Sequence, residues 1–159
     1  MPIPTPDHEV EDLDDPDCRS LLGSAHIGRL GYTRGALPAI TPVPFCVRAD
    51  QVVIPSRPGS PLLPGTSGTV VAFQVDSLDP TTCTGWTVTV IGHARSVTDP
   101  TEIAALDELP WPSPVVRPDR CYISVAIGLV AGWRAGPRRG VLVPEPVGDG
   151  PPRLADRSR

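Results

Sequence analysis

The residues best suited to chemistry lie together in one short loop, Arg57-Pro58-Gly59-Ser60-Pro61-Leu62. An arginine beside a Gly-Ser step is typical of a loop that binds an anion, because guanidinium, hydroxyl and backbone N–H groups all donate hydrogen bonds. The loop follows the apolar run Val52-Val53-Ile54 and leads into at most one helical turn, since Pro61 and Pro64 fall inside it and Gly65 ends it. The sequence therefore predicts an anion cradle between a strand and a short helical turn.

Other common catalytic centres find little support. Serine, histidine and aspartate occur, but in no nucleophile-elbow or triad context. All 14 basic residues are arginine, which excludes Schiff-base chemistry on a lysine and a lysine phosphate anchor. The residues available for proton transfer are Tyr32, His26 and His93, whose contexts favour structural or exposed roles. This scarcity is compatible with an enzyme whose cofactor supplies the chemistry, but does not by itself argue for one.

The cysteines do not suggest a metal site. Cys18, Cys46, Cys83 and Cys121 are scattered, with no CxxC pair and only three histidines in the chain. Such spacing does not suit zinc, so no metal is expected. Cys46 and Cys121 lie in apolar strand contexts, which favours reduced, buried thiols.

The charge balance argues against nucleic acid as a partner. With 18 acidic and 14 basic residues the net charge is -4, which leaves no basic footprint. The N-terminus has no basic segment followed by an apolar run, and no apolar stretch reaches the roughly 18 residues that a membrane span needs. We therefore expect a cytoplasmic protein that contacts neither nucleic acid nor membrane.

Alternation of apolar residues predicts six strands and a mainly β protein. The strands cover residues 27–33, 37–47, 51–56, 69–76, 86–97 and 121–134. Asp15 followed by Pro16 predicts a first helix, and Asp99-Pro100-Thr101-Glu102 predicts a second with a capping box. Gly92 suggests a bulge or bend in the longest strand.

The domain organisation follows from these elements. We expect one barrel domain over residues 13–134, with helical covers. Residues 1–12 are proline- and acid-rich and are expected to be disordered. Residues 135–159 are rich in Pro, Gly and Arg, and are expected to form an unstructured tail.

The strand 37–47 has an unusual proline content. Pro38, Pro42 and Pro44 all fall on its even phase, opposite the apolar odd phase. Each lacks an N–H, so the strand cannot be fully paired on both sides. It is either a proline-protected edge strand or a strand beside which another molecule lies, and the sequence leaves both interpretations open.

The order and spacing of six segments resemble the pyridoxamine 5'-phosphate oxidase-like flavoproteins, and most of all their small actinobacterial members. These segments are GRLGYT (28–33), LPAITPVPF (37–45), VVIPSRPGSPL (52–62), VAFQVD (71–76), GWTVTVIGHA (85–94) and the closing strand. The resemblance covers most of the chain, from Leu13 to Trp133. It implies a six-stranded split β-barrel with a few short covering helices, a bound FMN, and a homodimer with two flavin sites at its interface.

The resemblance also implies which residues contact the cofactor. They are Thr41, Pro42, Val43, Ser56, Arg57, Gly59, Ser60, Gln74 and Trp86. The strand 37–47 would run beside the flavin ring, and the segment 56–60 would hold the phosphate. Gln74 and Trp86 would face the site from the partner subunit.

Two expected cations are missing from the phosphate segment. Family members commonly present an Arg-Thr pair and a Gly-Ser-Lys where this chain has Pro55-Ser56 and Gly59-Ser60-Pro61. Either Arg57, with a second arginine such as Arg95, compensates for them, or the site no longer holds FMN.

Three functions remain open at this point. The resemblance implies an FMN-dependent oxidoreductase that moves a hydride to or from a small organic substrate, with no catalytic residue assigned. A deazaflavin-binding reductase with a differently built phosphate loop is the first alternative. The second is a degenerate barrel that binds a ligand or a partner without turnover. Oxidation of pyridoxamine phosphate itself is not expected, because the substrate-phosphate residues of that enzyme have no counterparts here.

Overall fold

The computed structural model describes residues 8–112 and 120–137, which form nine strands and three helices. The elements, in chain order, are β1 (His8–Leu13), α1 (Asp15–Ser24), β2 (Ile27–Arg34), β3 (Leu37–Pro44), β4 (Cys46–Arg48), β5 (Gln51–Ser56), α2 (Leu62–Thr66), β6 (Thr69–Leu78), β7 (Gly85–Val97), α3 (Pro100–Asp107), β8 (Cys121–Ala126) and β9 (Leu129–Pro137). None of these helices is long and apolar enough to cross a membrane.

All strand pairs are antiparallel, and β7 is the strand around which the sheet is arranged. The strand order is β3-β2-β6-β7-β8-β5-β4, while β9 pairs with β7 and with β1. One side of β7 pairs continuously with β6. Its other side pairs first with β9, from Gly85 to Ile91, and then with β8, from Ala94 to Val97. The sheet therefore divides into two branches along β7.

Gly92 lies at the point where these branches diverge. Of the two predicted alternatives, a bulge or a bend, the bulge is absent from the β6–β7 ladder, whose register runs through the pair Val71↔Gly92 without interruption. The glycine is needed for a different reason: a Cβ there would lie 1.6 Å from the carbonyl oxygen of Ala126, at the corner after β8. Only a residue without a side chain allows this approach of two backbones.

The mainly β class is confirmed, but the predicted number of six strands is wrong. The predicted strand 37–47 changes partner at Phe45, whose N–H donates to the carbonyl of His26, so it forms β3 against β2 and β4 against β5. The predicted closing strand likewise divides into β8 and β9 at residues 127–128. Such partner changes are the corners that close a sheet into a barrel, and a continuous apolar alternation conceals them.

The third additional strand lies where disorder was expected. Residues His8–Leu13 form β1, which pairs with β9 from His8↔Pro137 to Leu13↔Gly132. The acidic side chains that suggested disorder are exposed, while the backbone gains a full ladder from a strand more than a hundred residues away. For the same reason β9 extends to Pro137, beyond the expected barrel boundary at 134. Residues 1–7 and 138–159 lie outside the described residues.

The barrel interior is filled mainly by aliphatic side chains, with Phe45 and Phe73 edge to face at 4.7 Å between ring centroids. The first helix, α1, packs its Cys18 and Leu22 onto this core. Its N-cap is Asp14, whose carboxylate accepts from the N–H of Asp17, one residue before the predicted cap Asp15.

The third helix, α3, covers the outside of the sheet over β5, β7 and β8. The predicted cap is confirmed, because Asp99 accepts a hydrogen bond from the N–H of Glu102 at 2.9 Å. Leu106 packs with Val53, Val97 and Tyr122 in a second, smaller core. The predicted proline-rich loop 110–118 is described only as far as residue 112.

Candidate functional site

The predicted anion cradle is a turn that follows β5. The N–H of Ser60 donates to the carbonyl of Arg57 at 3.0 Å, and Gly59 supplies the positive φ of +79° that this turn needs. The Ser60 hydroxyl accepts from the N–H of Leu62 at 3.3 Å. Ser60 therefore uses both its N–H and its hydroxyl to hold the turn and the start of α2.

Prolines limit what this turn can donate to a ligand. Positions 55, 58, 61 and 64 are all proline and have no N–H. The Leu63 N–H is taken by the carbonyl of Ser60 at 3.2 Å. Within the described residues this leaves the N–H groups of Arg57 and Gly59, and the Arg57 side chain, which is exposed and forms no ion pair there.

Ser56 gives the loop a further donor. It ends β5, opposite Cys121 of β8, and continues the phase on which Val52 and Ile54 face the core. Its Oγ is buried and has no hydrogen-bond partner among the described residues. An unsatisfied buried hydroxyl costs about 1–3 kcal/mol, so a ligand or an ordered water is expected to supply its partner.

Arg95, the suggested second cation, is already engaged. Its guanidinium donates to both carboxylate oxygens of Glu102, with 3.1 Å from Nη1 to Oε2. The hydrogen bond to Glu102 raises the pKa of Arg95, and the same bond lowers the pKa of Glu102. Arg95 therefore attaches α3 to β7, and its guanidinium is engaged by Glu102 in this structure.

The three predicted cofactor residues of β3 divide between its two faces. Val43 is buried, and Thr41 lies on the same face, with its Oγ1 at 3.5 Å from the hydroxyl of Tyr32. Pro42 is exposed on the opposite face, beside Arg29 of β2. The sheet order places β3 at an edge, with β2 as its hydrogen-bonded neighbour. The edge interpretation is thus confirmed, and a molecule lying beside this edge remains a prediction.

Gln74 and Trp86 also lie on different faces of the sheet. Gln74 is exposed on the outer face, directly between Arg29 and Thr89. Trp86 follows the inward phase of β7, with Val88, and packs against the core. The two side chains therefore do not share one surface of a single chain.

The outer face carries a feature that the sequence analysis missed. A row of directly opposed residues crosses five strands without interruption, and we call it the apolar row; its members are Ile40, Gly31, Ala72, Ile91 and Leu129. Its three large side chains are 74%, 42% and 69% exposed, respectively. The sequence contains the pattern, because each of these residues lies on the side of its strand that faces away from the core. It becomes visible only once the strand order is known.

Two shallow depressions flank this row. One, of about 230 Å³, is lined by Arg29, Gly31, Ile40, Ala72, Gln74 and Thr89. The other, of about 330 Å³, shares Gln74 and Thr89 and extends to Asp12 and Trp133. Arg29 forms an ion pair with Asp76 on the same face, at 2.6 Å.

The candidate proton donors are not assembled into a catalytic group. His26 and His93 are exposed, and Tyr32 is buried against Gly65 of α2. Cys18, Cys46 and Cys121 are buried and Cys83 is exposed, so the predicted burial of Cys46 and Cys121 is confirmed. Burial raises the pKa of the Cys46 thiol. The described residues contain no group of His, Cys, Asp and Glu side chains that suits a metal ion.

A partly buried polar cluster holds the end of α3 near β8. The hydroxyl of Tyr122 donates to Asp107 Oδ1 at 2.7 Å, Arg120 Nε donates to the same oxygen, and Trp111 stacks on the Tyr122 ring. Burial, followed by the bond to Asp107, raises the pKa of Tyr122 to about 12. The bond from Arg120 holds the pKa of Asp107 below its usual range. Arg120, which precedes the strand partner of Ser56, is thus bound to the Asp107 carboxylate of α3.

These features define a class of protein: a small antiparallel split barrel with a Gly-Ser turn after its fifth strand and no catalytic group assembled among the described residues. A family described as pyridoxamine 5'-phosphate oxidase matches residues 14–125. The chain belongs to this family, as its segment order predicted.

Comparison with individual proteins agrees with this assignment. The chain is 39% identical over 110 residues to the uncharacterized protein Rv0080 of Mycobacterium tuberculosis, covering 65% of this chain and 72% of that protein. The structure of the FAD binding protein from Mycobacterium smegmatis is 26% identical, with a TM-score of 0.64, and covers 79% of this chain and 97% of its own. A Corynebacterium glutamicum structure named as a candidate pyridoxamine 5'-phosphate oxidase has a TM-score of 0.69 at 23% identity, covering 81% and 99%. The split-barrel fold is therefore confirmed.

Proposed function

We propose that this protein is a flavin-binding oxidoreductase that acts on a small organic substrate. The observation that supports it most directly is the buried Ser56 hydroxyl, which has no partner in the described part of the chain and lies next to the unpaired Arg57. A phosphate bound in the cradle would satisfy this hydroxyl and the Arg57 guanidinium together. The similarity to a structure named as FAD binding supports a flavin as the group that carries this phosphate.

The protein's own residues would bind and orient the cofactor. Ser56, Arg57 and Gly59 would hold the phosphate, while Thr41, Pro42 and Val43 would border the ring along the β3 edge. Ser60 would act indirectly, because its N–H and hydroxyl hold the turn. A bound flavin supplies hydride transfer, which fits a barrel whose described residues include no nucleophile–base pair.

We further propose that the protein functions as a homodimer joined through the outer face. The apolar row exposes three large aliphatic side chains in line, and such a patch on a soluble protein marks an interaction surface. A second copy fits this surface well because the ion pair Arg29–Asp76 presents both charges beside the row, so the face can complement itself. In such a dimer Gln74 would lie at the interface, as expected for a residue that reaches the partner's site. The cytoplasm is the proposed compartment, on the sequence features given above.

The visible absorption spectrum of the concentrated protein tests the cofactor. We expect the bands of an oxidised flavin, with a flavin released on denaturation and identified by mass. A deazaflavin identified in the same way would favour the deazaflavin reductase. A colourless protein that binds neither added flavin nor deazaflavin would overturn the proposal and favour the non-catalytic barrel.

Sedimentation equilibrium tests the dimer. We expect the wild type to sediment as a dimer and Ile40→Asp to sediment as a monomer, because a charge in the apolar row cannot be buried without a partner. Leu37→Asp is the matched control, since Leu37 is 70% exposed but lies at the β2–β3 turn, outside the row. Equal dimerisation of the two variants would contradict the use of this face.

A further inference from the structure

We propose that the depression of about 330 Å³ on the outer face, between β6, β7, β9 and β1, binds a small organic cation, which Asp12 and Trp133 recognise. We call it the Asp12 depression. This inference goes beyond the proposed function, because it uses neither the flavin nor the turn after β5. Three features support it: the shape of the depression, the pairing of a carboxylate with an indole, and the acceptor groups in its wall.

The first feature is the shape, which follows from the strand register. Thr89 pairs with Ala131, and the next outward-facing pair along the same ladder is Thr87 with Trp133. Ala131 has a small side chain and Thr87 is buried, so these two residues form a low floor. The larger side chains of Gln74, on β6, and Trp133, on β9, line the depression on either side of β7. The result is a concave surface on which a small ligand can be partly removed from water.

The second feature is a carboxylate beside an indole, across the β1–β9 ladder. Asp12 is paired with Trp133, and the neighbouring pair is Glu11 with Arg134. Because successive residues of a strand face opposite sides of a sheet, Arg134 shares a face with Glu11, where both line a separate depression. Trp133 shares the face of Asp12. This combination suits a cation with an apolar body, since the carboxylate attracts the charge and the indole attracts both the charge and the apolar groups.

The third feature is the set of acceptors in the wall. The amide of Gln74 and the hydroxyl of Thr89 line the depression, and neither side chain forms a hydrogen bond with another described residue. With the Asp12 carboxylate they offer acceptors for the three N–H groups of a primary ammonium ion. Arg29, which lines the adjacent depression, is bound to Asp76 at 2.6 Å. One carboxylate beside an indole does not suit a metal ion, so the ligand class is an organic ammonium ion.

The test is a titration of the full-length protein, as purified, with cyclohexylammonium and with cyclohexanol. The two probes share one apolar ring and differ in charge, and about 150 mM salt screens non-specific attraction to the surface. Binding is followed by NMR through the indole N–H signals of the three tryptophans, and Trp133→Phe identifies the signal of Trp133. We expect cyclohexylammonium to bind about tenfold more tightly than cyclohexanol. It should shift the signal of Trp133 and leave those of Trp86 and Trp111 unchanged.

Variants of β1 connect this preference to the depression. Asp12→Asn keeps the shape of the side chain and removes its charge, so it should weaken cyclohexylammonium binding by about tenfold and leave cyclohexanol binding unchanged. Glu11→Gln is the matched control, because it changes the net charge equally at an exposed carboxylate on the opposite face of the same strand. Its affinity for both probes should equal that of the wild type.

The site should be complete in one chain. The apolar row borders the depression, because its pair Ile91↔Leu129 is the next outward-facing pair after Thr89 and Ala131. Ile40→Asp, which we expect to be a monomer, is therefore compared with Leu37→Asp, which adds the same charge outside the row. We expect these two variants to bind cyclohexylammonium equally tightly.

Four results would each overturn the cation site. Equal affinity for the two probes would mean that the depression selects only an apolar ring. Equal losses in Asp12→Asn and Glu11→Gln would indicate non-specific attraction to an acidic surface. An unchanged Trp133 signal would place any bound ligand elsewhere, and a loss in Ile40→Asp without a loss in Leu37→Asp would show that one chain does not form the site. None of these results bears on the flavin, whose presence is tested separately by the absorption spectrum.

Discussion

Replacing Gly92 by alanine should destabilise the barrel far more than a change of one methyl group normally does. A Cβ at this position would lie 1.6 Å from the oxygen and 2.8 Å from the carbon of the Ala126 carbonyl. Both atoms belong to backbone, so no side chain can rotate away. Because real Cβ contacts essentially never fall below 3.0 Å, β7 and the corner after β8 must separate by at least 1.4 Å.

The energetic cost follows from that separation. A forced backbone shift in a packed interior costs about 1–3 kcal/mol. The shift also strains the ladder that begins at Ala94↔Val125, where each hydrogen bond contributes about 0.5–1.5 kcal/mol. Together these give a loss of about 3 kcal/mol in the free energy of unfolding, or a fall of about 6–12 °C in Tm for a chain of this size.

Urea unfolding at a fixed protein concentration measures this loss, with Gly136→Ala as the control. Gly136 also lies within a strand, β9, but a Cβ there would meet no atom within 4 Å. Its replacement should change stability by no more than about 0.5 kcal/mol. A free energy of unfolding for Gly92→Ala within about 0.5 kcal/mol of the wild-type value would show that the close backbone approach at Gly92 does not restrict this position to glycine.

Two further predictions concern α3. Asp99→Ala should lower stability by about 0.5–2 kcal/mol through loss of the N-cap, as measured by urea unfolding. Asp107→Asn should remove a pH-dependent contribution to the free energy of unfolding. The pKa of Asp107 is lowered in the folded protein, mainly by the hydrogen bond from Arg120. The stabilisation by this carboxylate is therefore present above its pKa in the unfolded chain and is lost as pH falls through its pKa in the folded protein. Wild type and variant should therefore differ at pH 7 and converge towards about pH 2.

Each of these two variants has an internal control. Asp99→Asn keeps the capping oxygen and should stay close to the wild type, so a loss equal to that of the alanine variant would contradict the capping role. For Asp107→Asn the reference variant is Glu108→Gln, which removes the charge of the exposed neighbouring carboxylate. A stability difference for Asp107→Asn that is constant with pH would show that the carboxylate charge does not contribute.

The sequence alone was sufficient for elements that depend on local rules. The cap at Asp99 requires only an aspartate three residues before an available N–H. The core-facing residues of β6 follow from the alternation of apolar and polar residues along the strand. The turn at Gly59 is likewise local, since it depends on a glycine placed where φ is positive. The cap and the alternation were predicted correctly, and the loop at Gly59-Ser60 was predicted without its turn geometry.

Elements that depend on distant partners were missed or misplaced. The strand β1 looked disordered because its partner β9 is remote in sequence. The change of partner at Phe45 depends on a hydrogen bond to His26, which no periodicity reveals. For the candidate site, the turn was predicted, but the engagement of Arg95 by Glu102 and the outward phase of the apolar row required the strand order.

The pairing of β1 with β9 has a consequence for the order in which the protein can be completed. In the described structure the first strand finds its hydrogen-bonding partner only in the last one. During synthesis from the N-terminus, β1 therefore stays unpaired until β9 has left the ribosome, while the ladders of β2, β3, β6 and β7 can already close. The acidic residues of β1 would protect this strand while it is unpaired, because charged side chains disfavour pairing with a strand of a neighbouring nascent chain. Pulse-labelling of amide hydrogens on stalled chains should find β1 to be the last strand to become protected.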